Sequence, residues 1–212
     1  MGKRKSKKKK QRSKKSGKGR SGPSLASQAD RYDLYQKSVQ EPEVEVEFFD
    51  RVYRELNGRT PKLLREDFCG TFAVSCEWAK GEGRTALGVD LDPEPLTWGR
   101  EHNLSKLDAE AQARVTLFEG DVRTVLEPKA DVLAAQNFSY WIFRTREELR
   151  TYFEIARKNL AADGMFVLDM MGGGDCYQEK EPEERKYKGF RYQWEMGSFD
   201  PITGDATHYI HF

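Results

Sequence analysis

The sequence predicts a doubly wound α/β fold, a mostly parallel sheet with helices on both faces, followed by a C-terminal antiparallel hairpin. Three observations predict it. Between residues 61 and 171, short apolar runs alternate with amphipathic stretches, the pattern of successive βαβ units. The apolar runs are nearly continuous rather than alternating, as expected of strands covered on both faces. Beyond Met171 the character changes to "GGG", a charged stretch "EKEPEERKYKG", and two runs, "FRYQWEMGSF" and "ATHYIHF", joined by "DPITGD". That joint between two aromatic-rich runs is a hairpin signature.

The chain opens on residues 1–27, which hold almost nothing apolar to bury and are expected to be disordered. Residues 1–20 carry twelve of the 36 Lys and Arg and no acid, so the other 24 basic residues face all 35 acidic ones, a net of −11 for the remainder. A basic tail therefore precedes an acidic body. The tail is either a solvated appendage, an electrostatic anchor for RNA or another polyanion, or a targeting signal to a nucleus where the host has one. It has no interleaved aromatics, so it offers affinity without base readout. No run approaches the roughly 18 apolar residues of a membrane span, and no apolar stretch follows the basic start as in a secretory signal. The three cysteines, Cys69, Cys76 and Cys176, fit no disulfide or metal spacing. A cytoplasmic protein without a metal is expected.

Residues 28–60 read as a helical lid region. Pro42 suits a first helical position; Val44, Phe48, Val52 and Leu56 recur at helical spacing, predicting a helix over 42–57 that Gly58 ends. Residues 61–171 form the core. "KLLREDF" reads as the first strand and leads into a helix from about Thr71 to Lys80. "TALGVDL" is the second strand, after which Asp92 and Pro93 cap a helix running to about Leu107. "RVTLFEGDV" and "ADVLAAQN" are the third and fourth strands. Thr145 and Glu148 make a capping box, and the helix after it sets Leu149, Tyr152, Phe153, Ala156 and Leu160 on one face. "GMFVLDMM" is the fifth strand. Residues 172–212 form the hairpin extension.

Ligands of open α/β sheets bind beyond the carboxyl ends of the strands. Four successive strands here end on polar groups: Glu66 and Asp67, then Asp90 and Asp92, then Asp121, then Gln136 and Asn137. A buried carboxylate needs a partner, so an acid or amide at every strand end is hard to explain by folding alone. Phosphates would require glycine amides and cations. Carboxylates suit hydroxyls, amines and a cationic centre, which S-adenosylmethionine combines.

The layout resembles a class I S-adenosylmethionine-dependent methyltransferase, with a Rossmann-like sheet. The likeness runs over about residues 30–199. In that family the first strand ends in an acid followed by a loop of the type G-C-G-T-G. "EDFCGTF" aligns with Glu66 at the acid, Phe68 at the first glycine, Cys69, Gly70 and Thr71 matching, and Phe72 at the last glycine. Two of three glycines are replaced. The resemblance implies that Gly70 passes closest to the cofactor and that Asp90 holds the ribose hydroxyls with Leu91 beside the adenine. It implies that Asp121, with Val122, meets the adenine amine, and that Asn137 and Phe138 lie beside the methyl group. Arg65 stands either in a strand-end salt bridge or on the methionine carboxylate. "LREDFCGT", "GVDLD" and "NFSY" together resemble a subgroup of small methyltransferases, against which the C-terminal extension is short.

Methyl transfer from a sulfonium needs mainly in-line positioning, so the acceptor leaves fewer marks. "NFSY" lacks the proline pair of base-amine methyltransferases, and no Pro-Cys nucleophile follows the fourth strand. Both omissions favour a small-molecule acceptor over a nucleic-acid base. Tyr32, Tyr35 and Gln40, in the lid region, are candidates for contact with the ligands, with Tyr35 and Asn137 nearest the reacting methyl. Two alternatives stand beside this reading: an enzyme tethered to RNA or to an RNA-bound protein by the tail, and a non-catalytic cofactor-binding module.

Overall fold

A computed structural model describes residues 24–174 and 182–212. The disorder expected of residues 1–23, and Cys176, lie outside the described residues. The described chain begins with a helical turn, α1 (Leu25–Gln28), capped by Ser24, so residues 25–27, expected in the disordered tail, are helical. The lid region holds α2 (Arg31–Val39) and α3 (Pro42–Asn57), and Gly58 closes α3 in the left-handed conformation.

The core is β1 (Leu63–Asp67), α4 (Ala73–Ala79), β2 (Thr85–Asp90), α5 (Pro93–His102), α6 (Ala109–Ala113), β3 (Val115–Glu119), β4 (Ala130–Ala135), α7 (Arg146–Lys158) and β5 (Leu160–Leu168). The five strands pair in the order β3-β2-β1-β4-β5, and every pairing is parallel. The order reverses between β1 and β4, which places the ligand crevice at the carboxyl ends of those two strands.

The helix expected to run to Leu107 stops at His102; a 3-10 turn over Leu104–Lys106 follows, and α6 was not foreseen. Thr145 and Glu148 form the capping box as read. Of the apolar face assigned to α7, Tyr152 and Ala156 are buried, Phe153 is partly open, and Leu160 already belongs to β5. In α3 the stripe Val44, Phe48 and Leu56 is exposed, and the core takes Phe49 and Tyr53 with Val46 packed beside them. A strict four-residue step drifts around a 3.6-residue helix. The spacing 46, 49, 53 stays on the sheet-facing side.

After β5 comes a separate three-stranded antiparallel sheet of β6 (Glu183–Tyr187), β7 (Phe190–Phe199) and β8 (Ala206–His211). β7 and β8 are the expected hairpin; the charged stretch before them supplies the third strand. Tyr187 Oη donates to the Ser38 carbonyl at 3.3 Å, which seats this sheet against the lid helix α2.

Candidate cofactor and acceptor site

The loop after β1 is left-handed at all three positions aligned with glycines. Phe68, Gly70 and Phe72 all have positive φ, at 58°, 51° and 45°. A left-handed conformation costs a residue with a Cβ roughly 1–2 kcal/mol. Packing offsets that cost here. Phe68 lies against the rings of Phe143 and Tyr152, and Phe72 is wholly enclosed beside Cys69, Cys76 and Leu96. The phenylalanines thus replace the glycines in chemistry and leave the turn intact. Backbone strain of this kind persists where the surroundings over-determine it, commonly at ligand sites.

Asp90, at the end of β2, holds that turn. Its Oδ2 accepts from the Gly70 N–H at 2.6 Å and its Oδ1 from the Asp92 N–H at 2.9 Å. Two cavities meet at Asp90 and Asp92. One, of about 450 Å³, is bounded by Tyr32, Tyr35, Gln40, Gly70 and Thr71. The other, of about 520 Å³, is bounded by Phe68, Leu91, Asp121, Val122, Ile142 and Phe143. Leu91 is 71% exposed and Ile142 64%, so two large apolar side chains stand open on the walls of the second cavity. The Asp121 carboxylate lies in the same cavity, gripped by Arg123 through Nε at 3.0 Å and Nη2 at 2.6 Å. The Arg123 hydrogen bonds hold its pKa below the usual carboxylate range.

The first cavity is lined by Asp90 and Asp92 together with Arg31, and further acids lie behind it. Burial raises the pKa of Glu45, with Asp169 among the charges that add to it. Burial likewise pushes Glu66 up to about 8 against the hydrogen bonds it accepts from Ser75, and Glu45 and Asp90 push it the same way. Tyr35 is raised by burial, then by Tyr192, Asp169 and Glu45. Among the described residues, no Lys, Arg or His forms an ion pair with Glu45, Glu66, Asp90 or Asp169.

The lid helix is tied to α5 at three points. Trp98 Nε1 donates to Asp30 at 2.6 Å, Arg31 pairs with Glu94 at 2.7 Å, and Asn103 donates to Gln36 at 2.9 Å. Asn103 also donates to the Thr71 carbonyl at 2.8 Å, which links the lid to the loop.

Three of the residues expected at the cofactor are elsewhere. Arg65 is fully buried. Its Nε donates to Asp67 at 2.7 Å, Nη1 to the Val125 carbonyl at 2.6 Å and Nη2 to the Val122 carbonyl at 2.8 Å. It is the strand-end salt bridge, with no donor turned to the crevice. The Cys69 side chain is in the core against Gly88, where an added Cβ would stand 2.9 Å from Sγ. Glu66 is buried under the loop, accepting from the Ser75 N–H at 2.9 Å and Oγ–H at 2.5 Å. Asn137 and Phe138 line a third cavity, of about 550 Å³, which shares Tyr35 and Ile210 with the first.

Four residues that matter here were not singled out from the sequence: Glu45, Arg123, Ile142 and Asp169. Asp169 ends the segment of β5, and its carboxylate accepts from the N–H groups of Asn137 at 2.8 Å and Phe138 at 2.9 Å. Both have positive φ, so their N–H groups form a nest around that carboxylate. Extending the strand-end reading to the fifth strand would have found Asp169.

Among solved structures, the chain is similar to the amino pentose methyltransferase CalS10 from Micromonospora echinaspora, at 17% identity and a TM-score of 0.63. The match covers 85% of this chain and 79% of that one. It is similar to the sugar N-methyltransferase KedS8 from Streptoalloteichus sp. ATCC 53650, at 18% identity and a TM-score of 0.62 over 92% and 80% of the two chains. An S-adenosylmethionine-dependent methyltransferase from Clostridium acetobutylicum gives 16% identity and 0.62 over 85% and 77%. This is the S-adenosylmethionine-dependent methyltransferase fold. No protein-family model and no curated protein matches the chain. The cleft around Asp90 lies beyond the carboxyl ends of β1, β2 and β3, the edge at which open α/β sheets bind ligands.

Proposed function

We propose that the chain is an S-adenosylmethionine-dependent methyltransferase acting on a small molecule. The observation that carries this reading is the set of carboxylates Asp90, Asp92 and Asp121 lining two cavities that meet at the end of β2. Their oxygens can accept from hydroxyls and amines. S-adenosylmethionine is elongated, cationic at one end and flat at the other, and the residues present fit both ends. Leu91 and Ile142 offer apolar faces to adenine and Asp121 an acceptor to its amine. Asp90 offers lone pairs to ribose hydroxyls, and the tight turn at Gly70 leaves room for the methionine half.

The bound cofactor would supply an electrophilic methyl group on a sulfonium. The chain's own part is placement. The α2 lid covers the cleft with Tyr32 and Tyr35, which limits water. The Asp169 clamp fixes the loop that carries Asn137 beside the acceptor side. The sugar methyltransferase names of CalS10 and KedS8 support a small acceptor for this fold neighbourhood.

Calorimetry tests the reading. Titration of S-adenosylmethionine or S-adenosylhomocysteine into the folded protein should give measurable heat, and saturation at about 100 Kd should add about 2.7 kcal/mol of stability. Asp90→Ala, checked for native circular dichroism, should lose both effects. Absence of heat with either ligand on folded wild-type protein sinks the reading.

A further inference from the structure

The inner face of the small sheet forms one side of the third cavity. Tyr187 Oη, in reaching the Ser38 carbonyl, fixes which face of β6 turns inward. Side chains two apart on a strand share a face, so Glu183 and Arg185 turn inward with Tyr187, and both line the cavity. Glu184, on the outer face, pairs with Arg191. Among the described residues, neither Glu183 nor Arg185 has an ion-pair partner. Burial raises the pKa of Tyr192, Arg185 lowers it and Glu183 raises it, so both charges act at one hydroxyl of the cavity wall. Strand register sets the other end. Glu183 lies opposite Trp194, and Trp194 opposite Ile210. At about 4.8 Å between strands, that row is about 10 Å long. Ile210 and Tyr35 also border the cofactor cleft. Phe138 and Trp141, stacked at 5.1 Å, supply a further wall. The cavity thus carries both signs of charge at β6 and turns apolar toward the cleft.

We propose that this cavity binds a zwitterion with an apolar body, of the class of α-amino acids with aromatic side chains, its ammonium at Glu183 and its carboxylate at Arg185. That this molecule is the methyl acceptor rests on the cofactor reading above; its side chain then runs along the row toward the cleft, and its charged head stays at β6. Arg185 matches a carboxylate through its planar fork of donors. Glu183 matches an ammonium, which the neighbouring rings also attract. A simple amine would leave Arg185 without a counterion, and a simple acid would leave Glu183 without one. Only a molecule bearing both charges answers both residues. Trp194, Ile210 and Trp141 then cover its body, and an amino acid without a side chain would not reach them. Both charged residues are also exposed to water, so each contact should change affinity by about fivefold.

Calorimetry on the full chain, with and without S-adenosylhomocysteine, tests the site with three related probes. They are L-tryptophan, tryptamine, which lacks the carboxylate, and indole-3-propionate, which lacks the ammonium. L-Tryptophan should bind more tightly than either by about fivefold, and glycine should give no heat. Arg185→Gln should weaken L-tryptophan and indole-3-propionate by about that factor and spare tryptamine. Glu183→Gln should weaken L-tryptophan and tryptamine and spare indole-3-propionate. Lys186→Gln, on the outer face of β6, should alter none of them. Absence of heat with L-tryptophan, equal affinity for the three probes, comparable binding of glycine, or variants that bind all three as wild type does would each overturn the site. If S-adenosylhomocysteine fails to bind while the pattern across the three probes holds, the cofactor reading falls and the zwitterion site stands. The reverse result keeps the cofactor reading and removes the site.

Discussion

Phe72 and Gly99 are a fitted pair. The Phe72 ring lies where a Cβ on Gly99 would be, and that Cβ would also stand 2.5 Å from the Thr71 carbonyl oxygen. A phenylalanine at the last glycine position of the loop is thus accommodated by a glycine one helix away. Gly99→Ala should destabilise by about 1–3 kcal/mol through overpacking. Phe72→Ala should cost about 3–5 kcal/mol through the lost burial. In the double variant the alanine at 99 no longer meets the Phe72 ring, while its contact with the Thr71 carbonyl remains, so urea denaturation should show a sum smaller than its parts by more than about 0.5 kcal/mol. Strict additivity would refute the pairing.

Glu66 makes stability depend on pH. Its folded pKa of about 8 lies above the ordinary 4.5. For a raised carboxyl the folded state binds the proton more tightly. The stability it contributes is whole below pH 4.5 and is lost as pH rises to 8. Asp67 is also raised by burial and acts in the same direction, so the measurement is the difference between wild type and Glu66→Gln. That difference, from thermal melts between pH 5 and 8, should move by a few kcal/mol in favour of the variant. Parallel curves would show Glu66 ionised in the folded protein.

Arg65 and Asp67 form a fully enclosed ion pair at 2.7 Å, and Tyr152 Oη donates to the same carboxylate at 3.1 Å. Removing one member of such a pair leaves the other buried and unpaired, at about 3–5 kcal/mol. Arg65→Met should therefore lose stability of that order, and it also strips the carbonyls of Val122 and Val125. Should the variant keep its melting temperature and lose only cofactor affinity, Arg65 would be a ligand residue after all.

Asp169 should be visible by hydrogen exchange. Its carboxylate takes two amide donors from left-handed residues. In Asp169→Ala the amides of Asn137 and Phe138 should lose protection, and the global unfolding free energy should fall by about 1.5–3 kcal/mol per charge-assisted bond at most. Unchanged protection at both amides would show that the loop holds itself.

Much of this protein is legible in its residues alone. Buried parallel strands write themselves as apolar runs. Caps such as Asp92 and the Thr145–Glu148 box are local chemistry, and a polar group at each strand end is a rule that one chain displays. Asp90, Asp121, Gly70 and Thr71 come together at the cleft for that reason. What tertiary structure alone decided is where side chains point and what is near them. "REDFCGTF" spells a broken glycine loop, because letters report side chains and the turn depends on φ. Gly99, 27 residues from Phe72, leaves space for the ring of a phenylalanine held at positive φ. Arg65 reads as a candidate for an anionic ligand until three buried acceptors surround it. Glu45 carries no local signal, since its raised pKa arises from burial and from Asp169, distant in the chain. Periodicity and capping act within a few residues, whereas charge, desolvation and close packing act through space.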